Sequence, residues 1–457
     1  MVAGRTSVGR ARHTRAVEGA RQGVTRFAPR LLAMVVLAIC PLALDAQGRP
    51  VPHEALAAAR DRYQRLAADS TLRAPRITGV LRAGEPFADA VSLRRLLTAV
   101  GDLSAADATV GGYADADTLY DSSLVAGVVA FQRRHGLEPD GIIGRATGAQ
   151  IAVPLDRRVR QLDLAIERWR TLGDTGAGRM VVVNVPAFRI HAVDRDAATG
   201  RPSLAMNVIV GQASGGHATP LFSGTMREVV FQPYWDVPIS IARNELLPLI
   251  RRDPRYLDRN AMEIVRGGDH DAVVHAPTSA NFARVAAGTL RLRQRPGASN
   301  ALGAVKFVFP NRFNVYLHGT PNPELFERQR RDFSHGCIRV ADPPGLAEWV
   351  LSGEAGWDAA AVAAAMTTGP RSHRLTLRAP IPVHVLYATA EVGDDGIVHF
   401  HPDLYGHDAA HFRAAADAAP AATPAAASGE TERIREFPTA APAVPDRSPP
   451  RAGPSMP

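Results

Sequence analysis

Cysteine is almost missing from this chain: 457 residues hold two, Cys40 and Cys337. That count excludes a disulfide framework as the scaffold of the fold. Lysine is scarcer still, with Lys306 alone among 53 basic residues. No basic stripe with interleaved aromatics is present, so the formal charge of +8 is not a nucleic-acid footprint. The uncharged apolar run Leu31–Leu44 is 14 residues long, short of the roughly 20 that cross a bilayer. What is there suits soluble globular protein: 46% hydrophobic and 21% charged residues exclude collagen, general disorder and a multi-span membrane protein. At this length one core is too few, and two or three domains are expected.

The charge is not spread evenly. Up to Ala46 seven arginines face only Glu18 and Asp45, a local +5 that leaves +3 for the rest. A basic stretch, then Leu31–Leu44, then Asp45-Ala46-Gln47 reads as an export signal over 1–46, cleaved near Ala46. An uncleaved N-terminal anchor is the other reading, and it is the only route to a membrane. Ile39 is too large for Cys40 to be a lipoprotein site. The expected location is the periplasm or cell envelope, and the mature protein keeps Cys337 as its one thiol.

Beyond the leader the periodicity sorts the chain. Leu56, Ala59, Tyr63 and Leu66 predict a helix in a scaffold segment over 47–90. Leu93, Leu96, Leu97 and Val100 predict another, ended by Gly101; Asp121 is placed to cap a third, whose apolar face is Leu124, Val128 and Phe131. These lie in a small domain over 91–153. A connecting helix over 154–178 carries Leu155, Val159, Leu162, Ile166 and Trp169 on one face. Strands are expected at Met180–Val185, Phe188–Val193, Ala205–Val210 and Met226–Phe231, and again at Val305–Phe309, Asn314–Leu317, Pro382–Ala390 and Ile397–Phe400. Asp342-Pro343 opens a helix with Leu346, Trp349 and Val350. A charged, partly helical insertion over about 241–297 interrupts the strands. The Ala/Pro-rich stretch over 409–457 is too poor in large apolar residues to fold.

The strongest chemical signal is Tyr316-Leu317-His318-Gly319-Thr320 followed by Ser334-His335-Gly336-Cys337-Ile338-Arg339. A free thiol titrates near ~8.5 and becomes a nucleophile when a base takes its proton. His318 ends a strand and His335 stands two residues from Cys337. Gly336 lets the backbone bend so that successive N–H groups point at one oxygen. Two plainer readings compete: a buried small hydrophobe, and a zinc site. Zinc lacks a convincing fourth ligand here. His399, His401, His407 and His411 lack regular ligand spacing and read as a surface strand and loop.

The Ser-His-Gly-Cys-Ile-Arg signature with an upstream His-Gly-Thr resembles the L,D-transpeptidase catalytic (YkuD) domain. Glu167-Arg168-Trp169-Arg170, Val208–Gly211, Pro233–Pro238, Pro296-Gly297, Asn300–Gly303 and Lys306-Phe307 resemble its YcbB-type branch. Leu124–Ile151, with Phe131-Gln132, His135-Gly136-Leu137 and Asp140-Gly141, is similar to a three-helix peptidoglycan-binding domain. The likeness covers roughly His53 to Asp408. It implies an α+β fold: a mostly-β, mixed-sheet catalytic domain over 179–408 with a helical capping insertion, preceded by the three-helix domain.

The same resemblance implies roles. Cys337 is the nucleophile, His318 the base oriented by the Gly319 carbonyl, and His335 and Gly336 shape the oxyanion hole with the Cys337 N–H. Arg339 braces the loop or faces substrate carboxylates, with a structural ion pair as the plainer competing reading. Tyr316, Tyr234 and Trp235 either line the cleft or pack in the core, and Ser334 joins the substrate-binding set. No cofactor and no metal are implied. The expected substrates are peptidoglycan stem tetrapeptides, as donor and acceptor, and glycan; carbapenem-type inhibitors are expected to acylate Cys337. The reaction expected is 3→3 cross-linking through a cysteine thioester, with D-alanine released. An L,D-carboxypeptidase or other cell-wall cysteine peptidase, and a non-catalytic wall-binding protein, are the alternatives.

Overall fold

Met180, Val181, Val182 and Val183 form an unbroken apolar run rather than an alternation, and the computed structural model gives that run two faces to cover. The structure describes residues 52–108, 118–172, 178–194, 204–268, 271–393 and 396–418. The leader with Cys40, and residues 419–457 of the expected tail, lie outside the described residues. Val181 and Val183 of β1 (Arg179–Asn184) turn toward the core enclosed by the main sheet, while Met180 and Val182 turn toward a layer of N-terminal helices. A strand buried on both faces needs apolar residues at every position.

The remaining strands are β2 (Arg189–Asp194), β3 (Leu204–Gly211), β4 (Phe222–Phe231), β5 (Trp235–Asp236), β6 (Met262–Arg266), β7 (Val273–His275), β8 (Arg291–Gln294), β9 (Val305–Val308), β10 (Leu317–His318), β11 (Asp332–Ser334), β12 (Ile338–Val340), β13 (His373–Leu386), β14 (Ala390–Val392) and β15 (Val398–Phe400). The main sheet runs β11-β3-β12-β10-β9-β4-β13-β1-β2, and a further β3–β2 pairing closes it on itself. The sheet is mixed: β1–β13, β10–β12 and β11–β3 are parallel, the rest antiparallel. Inside the closed sheet Val208, Phe231, Phe307, Leu317 and Ile338 are buried, and the helix Pro343–Leu351 packs against them with Leu346 and Trp349. Asp342 caps that helix by accepting from the Gly345 N–H at 2.9 Å, a contact worth about 1 kcal/mol.

Among the described residues six N-terminal helices cover the outer face: α1 (Pro52–Ala68), α2 (Ala90–Val100), α3 (Ala105–Ala108), α4 (Ser122–Arg134), α5 (Arg145–Ile151) and α6 (Leu155–Thr171). Asp121 caps α4 through the Leu124 N–H at 2.9 Å, and Gly101 ends α2 in the left-handed conformation. Tyr63, Leu97, Leu124 and Leu162 share one core with Met180, Val182, Leu386 and Phe400. The helix α6, expected as a connector, is thus a packed wall between the two regions.

Three elements differ from the expectations. The insertion holds strands as well as helices: its β6, β7 and β8 join β5, just ahead of it, in a four-stranded sheet beside the helical run Ile239–Arg252. Its strands were hidden because Arg291, Arg293 and Glu263 put charge where a buried strand shows apolar residues. β13 begins at His373, nine residues before Pro382, and passes its Pro380 at an irregularity between Thr376 and Ile381. A helix, His407–Ala418, crosses the boundary expected at 408, anchored by Asp408 on Arg168 at 2.6 Å.

Candidate active site

Cys337 stands in the short link between β11 and β12, and that link is bent by Gly336 at φ +114. The conformation is one L side chains rarely adopt, so glycine is required there. The Ser334 hydroxyl donates to the Cys337 carbonyl and accepts from the Gly336 N–H at 3.1 Å. The Gly336 carbonyl accepts from the Thr219 hydroxyl at 2.9 Å, and that hydroxyl accepts from the Gly211 N–H at 2.8 Å. A Cβ on Gly211 would lie only 1.9 Å from the His217 carbonyl oxygen, so backbone can approach at this point only because the residue is glycine. Beneath them the Tyr405 hydroxyl donates to the Gly211 carbonyl at 2.7 Å and accepts from the Thr219 N–H at 3.1 Å. The loop is braced from the far end of the chain.

His318 is 4% exposed on β10, opposite Lys306 of β9 and Arg339 of β12. Its Nδ1 lies 2.6 Å from the Gly319 carbonyl oxygen. A carbonyl only accepts, so Nδ1 carries the proton and Nε2 keeps the lone pair. Burial, with the Arg339 guanidinium and the Lys306 ammonium beside it, pushes the His318 pKa down to about 3. The imidazole is therefore a neutral base throughout the physiological range.

The thiol of Cys337 donates to the Asn314 carbonyl at 3.6 Å and makes no hydrogen bond to His318. Burial pushes its pKa up, while the Tyr316 N–H and hydroxyl, Lys306 and Arg339 oppose that rise. Lys306, the sole lysine of the chain, reaches its ammonium over the Tyr316 ring, 3.9 Å from the centroid, and lines the same cavity. Cys337, His318, His335, Arg339, Tyr316 and Ser334 all line one cavity of about 630 Å³.

The site residues divide on closer view. Arg339 is 5% exposed, its Nε has no hydrogen-bond partner, and no carboxylate among the described residues pairs with it. The ion-pair reading of Arg339 therefore fails. Gly336 shapes the loop by conformation, but its N–H is engaged by Ser334, leaving the Cys337 N–H as the unengaged donor. Tyr234 lines the cavity with Arg293 stacked 4.0 Å from its ring centroid. Trp235 touches the cavity too, but at 7% exposure it belongs chiefly to the core of the insertion. Tyr316 immediately precedes β10 instead of lying within it.

Sequence reasoning missed Glu245 and His217. Glu245 Oε1 lies 2.9 Å from His335 Nε2, and the His217 ring packs edge-on against His335 at 4.4 Å. No local pattern connects residues 90 positions apart. Among the described residues no group of three His, Cys, Asp or Glu side chains is placed to hold a metal; His401 instead pairs with Glu391 at 3.1 Å.

Comparison with known families agrees with this architecture. Residues 178–365 match the L,D-transpeptidase catalytic domain, YkuD, and residues 88–151 match the "Putative peptidoglycan binding domain". The two matched stretches are thus similar to an L,D-transpeptidase catalytic domain and, ahead of it, to a peptidoglycan-binding domain. A "Putative L,D-transpeptidase" of Haemophilus influenzae is 33% identical over 250 residues, which is 54% of this chain and 48% of that protein. The chain thus spans about half the length of the curated relative it matches. A crystal structure of the L,D-transpeptidase from Xylanimonas cellulosilytica aligns with 68% of this chain and 99% of its own at 16% identity. Its TM-score is 0.17, too low to bear on the fold.

Proposed function

We propose that this protein is an exported peptidoglycan L,D-transpeptidase that forms 3→3 cross-links through a thioester on Cys337. The observation that carries the reading is that β10 and β12, paired in parallel, bring His318 and Cys337 into one cavity, with His318 Nδ1 tied to the Gly319 carbonyl. His318 Nε2 takes the thiol proton, and the sulfur attacks the carbonyl carbon of the third stem residue. The Cys337 N–H holds the oxyanion. D-Alanine leaves with the proton from His318, and a thioester remains. An amine of a neighbouring stem then displaces the sulfur, forming the new amide. The thioester keeps the acyl group activated, so no nucleotide is needed outside the cytoplasm. Arg339, with an unsatisfied Nε, suits a substrate carboxylate. The basic and apolar leader over 1–46 directs export, and the domain over 91–153 holds the enzyme at its polymeric substrate.

The test is direct. Incubated with disaccharide-tetrapeptide, the mature chain is expected to yield a dimer lighter by one D-alanine than two substrates, whereas free tripeptide alone would identify a carboxypeptidase. A carbapenem should add its mass to the wild type and not to Cys337→Ala. An adduct that survives in Cys337→Ala sinks the assignment.

A further inference from the structure

His335 is built as a second base. Its Nε2 sits 2.9 Å from Glu245 Oε1, and an ionised carboxylate only accepts, so Nε2 carries the hydrogen and Nδ1 the lone pair. His318 is arranged the opposite way, with Nδ1 held by a carbonyl and Nε2 free to accept. The two imidazoles thus use opposite nitrogens for their protein contacts, and both line one cavity with Cys337. They differ in depth. His318 is 4% exposed, while the His335 and Glu245 side chains are 20% and 36% exposed.

Glu245 is supplied by an uncommon backbone. The helical run Ile239–Arg252 widens into a π turn over Ala242–Leu246, just ahead of Pro248, whose ring has no N–H to give the α ladder. Such widened turns are rare and recur at functional sites. Here the turn places Asn244 and Glu245 together on the cavity wall.

We propose that Glu245 positions His335 as the base of the acceptor half-reaction, so that the insertion takes part in the chemistry. This rests on the transpeptidase reading above. Acylation and aminolysis move protons at different places: the first from sulfur to the leaving D-alanine, the second from the incoming amine to sulfur. His318, the more deeply buried base of the same cavity, serves the first. The acceptor enters from solvent after D-alanine has left and meets the shallower imidazole. Its neutral amine attacks the thioester carbon, and the C–N bond forms as His335 Nδ1 takes one N–H proton. The C–S bond breaks, the sulfur leaves as thiolate, and that proton passes from His335 to it. Nothing is oxidised or reduced, and His335 ends neutral. Glu245 touches no substrate: it fixes the tautomer and stabilises the imidazolium.

The experiment uses the whole chain with Glu245→Ala and Glu245→Gln. Donor tetrapeptide without acceptor gives the rate of thioester formation by intact mass; adding acceptor gives the ratio of cross-linked to hydrolysed product. Thioester formation by Glu245→Ala is expected to stay within about twofold of wild type, while its cross-linking turnover and product ratio fall by roughly tenfold or more. The acceptor KM should hold, and Glu245→Gln, which still accepts from Nε2–H, should recover most of the loss. A product ratio equal to wild type overturns the proposal, as does an equal fall of both half-reactions, which would make Glu245 a plain strut. Failure of the transpeptidase reading looks different: wild type itself would form no thioester.

Discussion

Two buried polar clusters in this molecule are finished to different degrees. In the N-terminal layer Arg134 and Asp102 pair at 2.6 Å with side chains 5% and 4% exposed, and Arg134 also donates to the Tyr63 hydroxyl at 3.0 Å. Gln132 beside them donates to Asp140, Ile142 and Thr147 and accepts from the Gly141 N–H. At the cavity, Arg339 Nε has no partner and the Cys337 N–H is unengaged. An unsatisfied buried donor costs about 1–3 kcal/mol. The first cluster closes such openings and joins helices to sheet; the second keeps them, which the proposed function assigns to substrate. Completeness of hydrogen bonding separates cement from site.

The largest effect should come from breaking the finished cluster. Asp102→Ala strands the Arg134 charge in the interior and is expected to destabilise the fold by about 3–5 kcal/mol in urea unfolding. Arg339→Met, at an equally buried guanidinium, should lose far less stability while losing cross-linking. Equal stability losses from the two would erase the contrast.

A second effect is expected in acid. Burial holds His135 well below its ordinary pKa, and His318 is held at about 3. Between ~6.5, the value in the unfolded chain, and those depressed values, the unfolded state binds protons that the folded state refuses. Stability present above pH ~6.5 is therefore lost as pH falls, by up to about 1.4 kcal/mol per unit for each imidazole. His135→Phe should flatten the decline between pH 6.5 and 4.5, measured by unfolding at several pH values. An unchanged slope would remove His135 from the balance.

The smallest concerns Lys306. Lys306→Met takes one cation away from Cys337, so the pH midpoint of iodoacetamide alkylation is expected to rise by less than about one unit. No movement would mean that the sole lysine does not tune the thiol.

Much of the local structure was legible before any coordinates. Asp121, Gly101 and Asp342 bound their helices where their spacing placed them, because capping depends on residues within one turn. The insertion strands and the first half of β13 were not legible: their charged and proline-interrupted residues pair across a sheet whose partners lie far away in sequence. The helix beginning at His407 went unseen for a similar reason, since Asp408 finds Arg168 from 240 residues away.

From sequence alone came the Ser-His-Gly-Cys link, the glycine that bends it, the upstream histidine and the basic leader. Each is a matter of residue type at short spacing, where bond geometry and intrinsic chemistry decide. Tertiary structure decided what surrounds them: Lys306 and Arg339 on either side of His318, Tyr405 under the loop, and Glu245 on His335. Those contacts depend on strand register and on the packing of the insertion, and no local propensity encodes a distance across 90 residues.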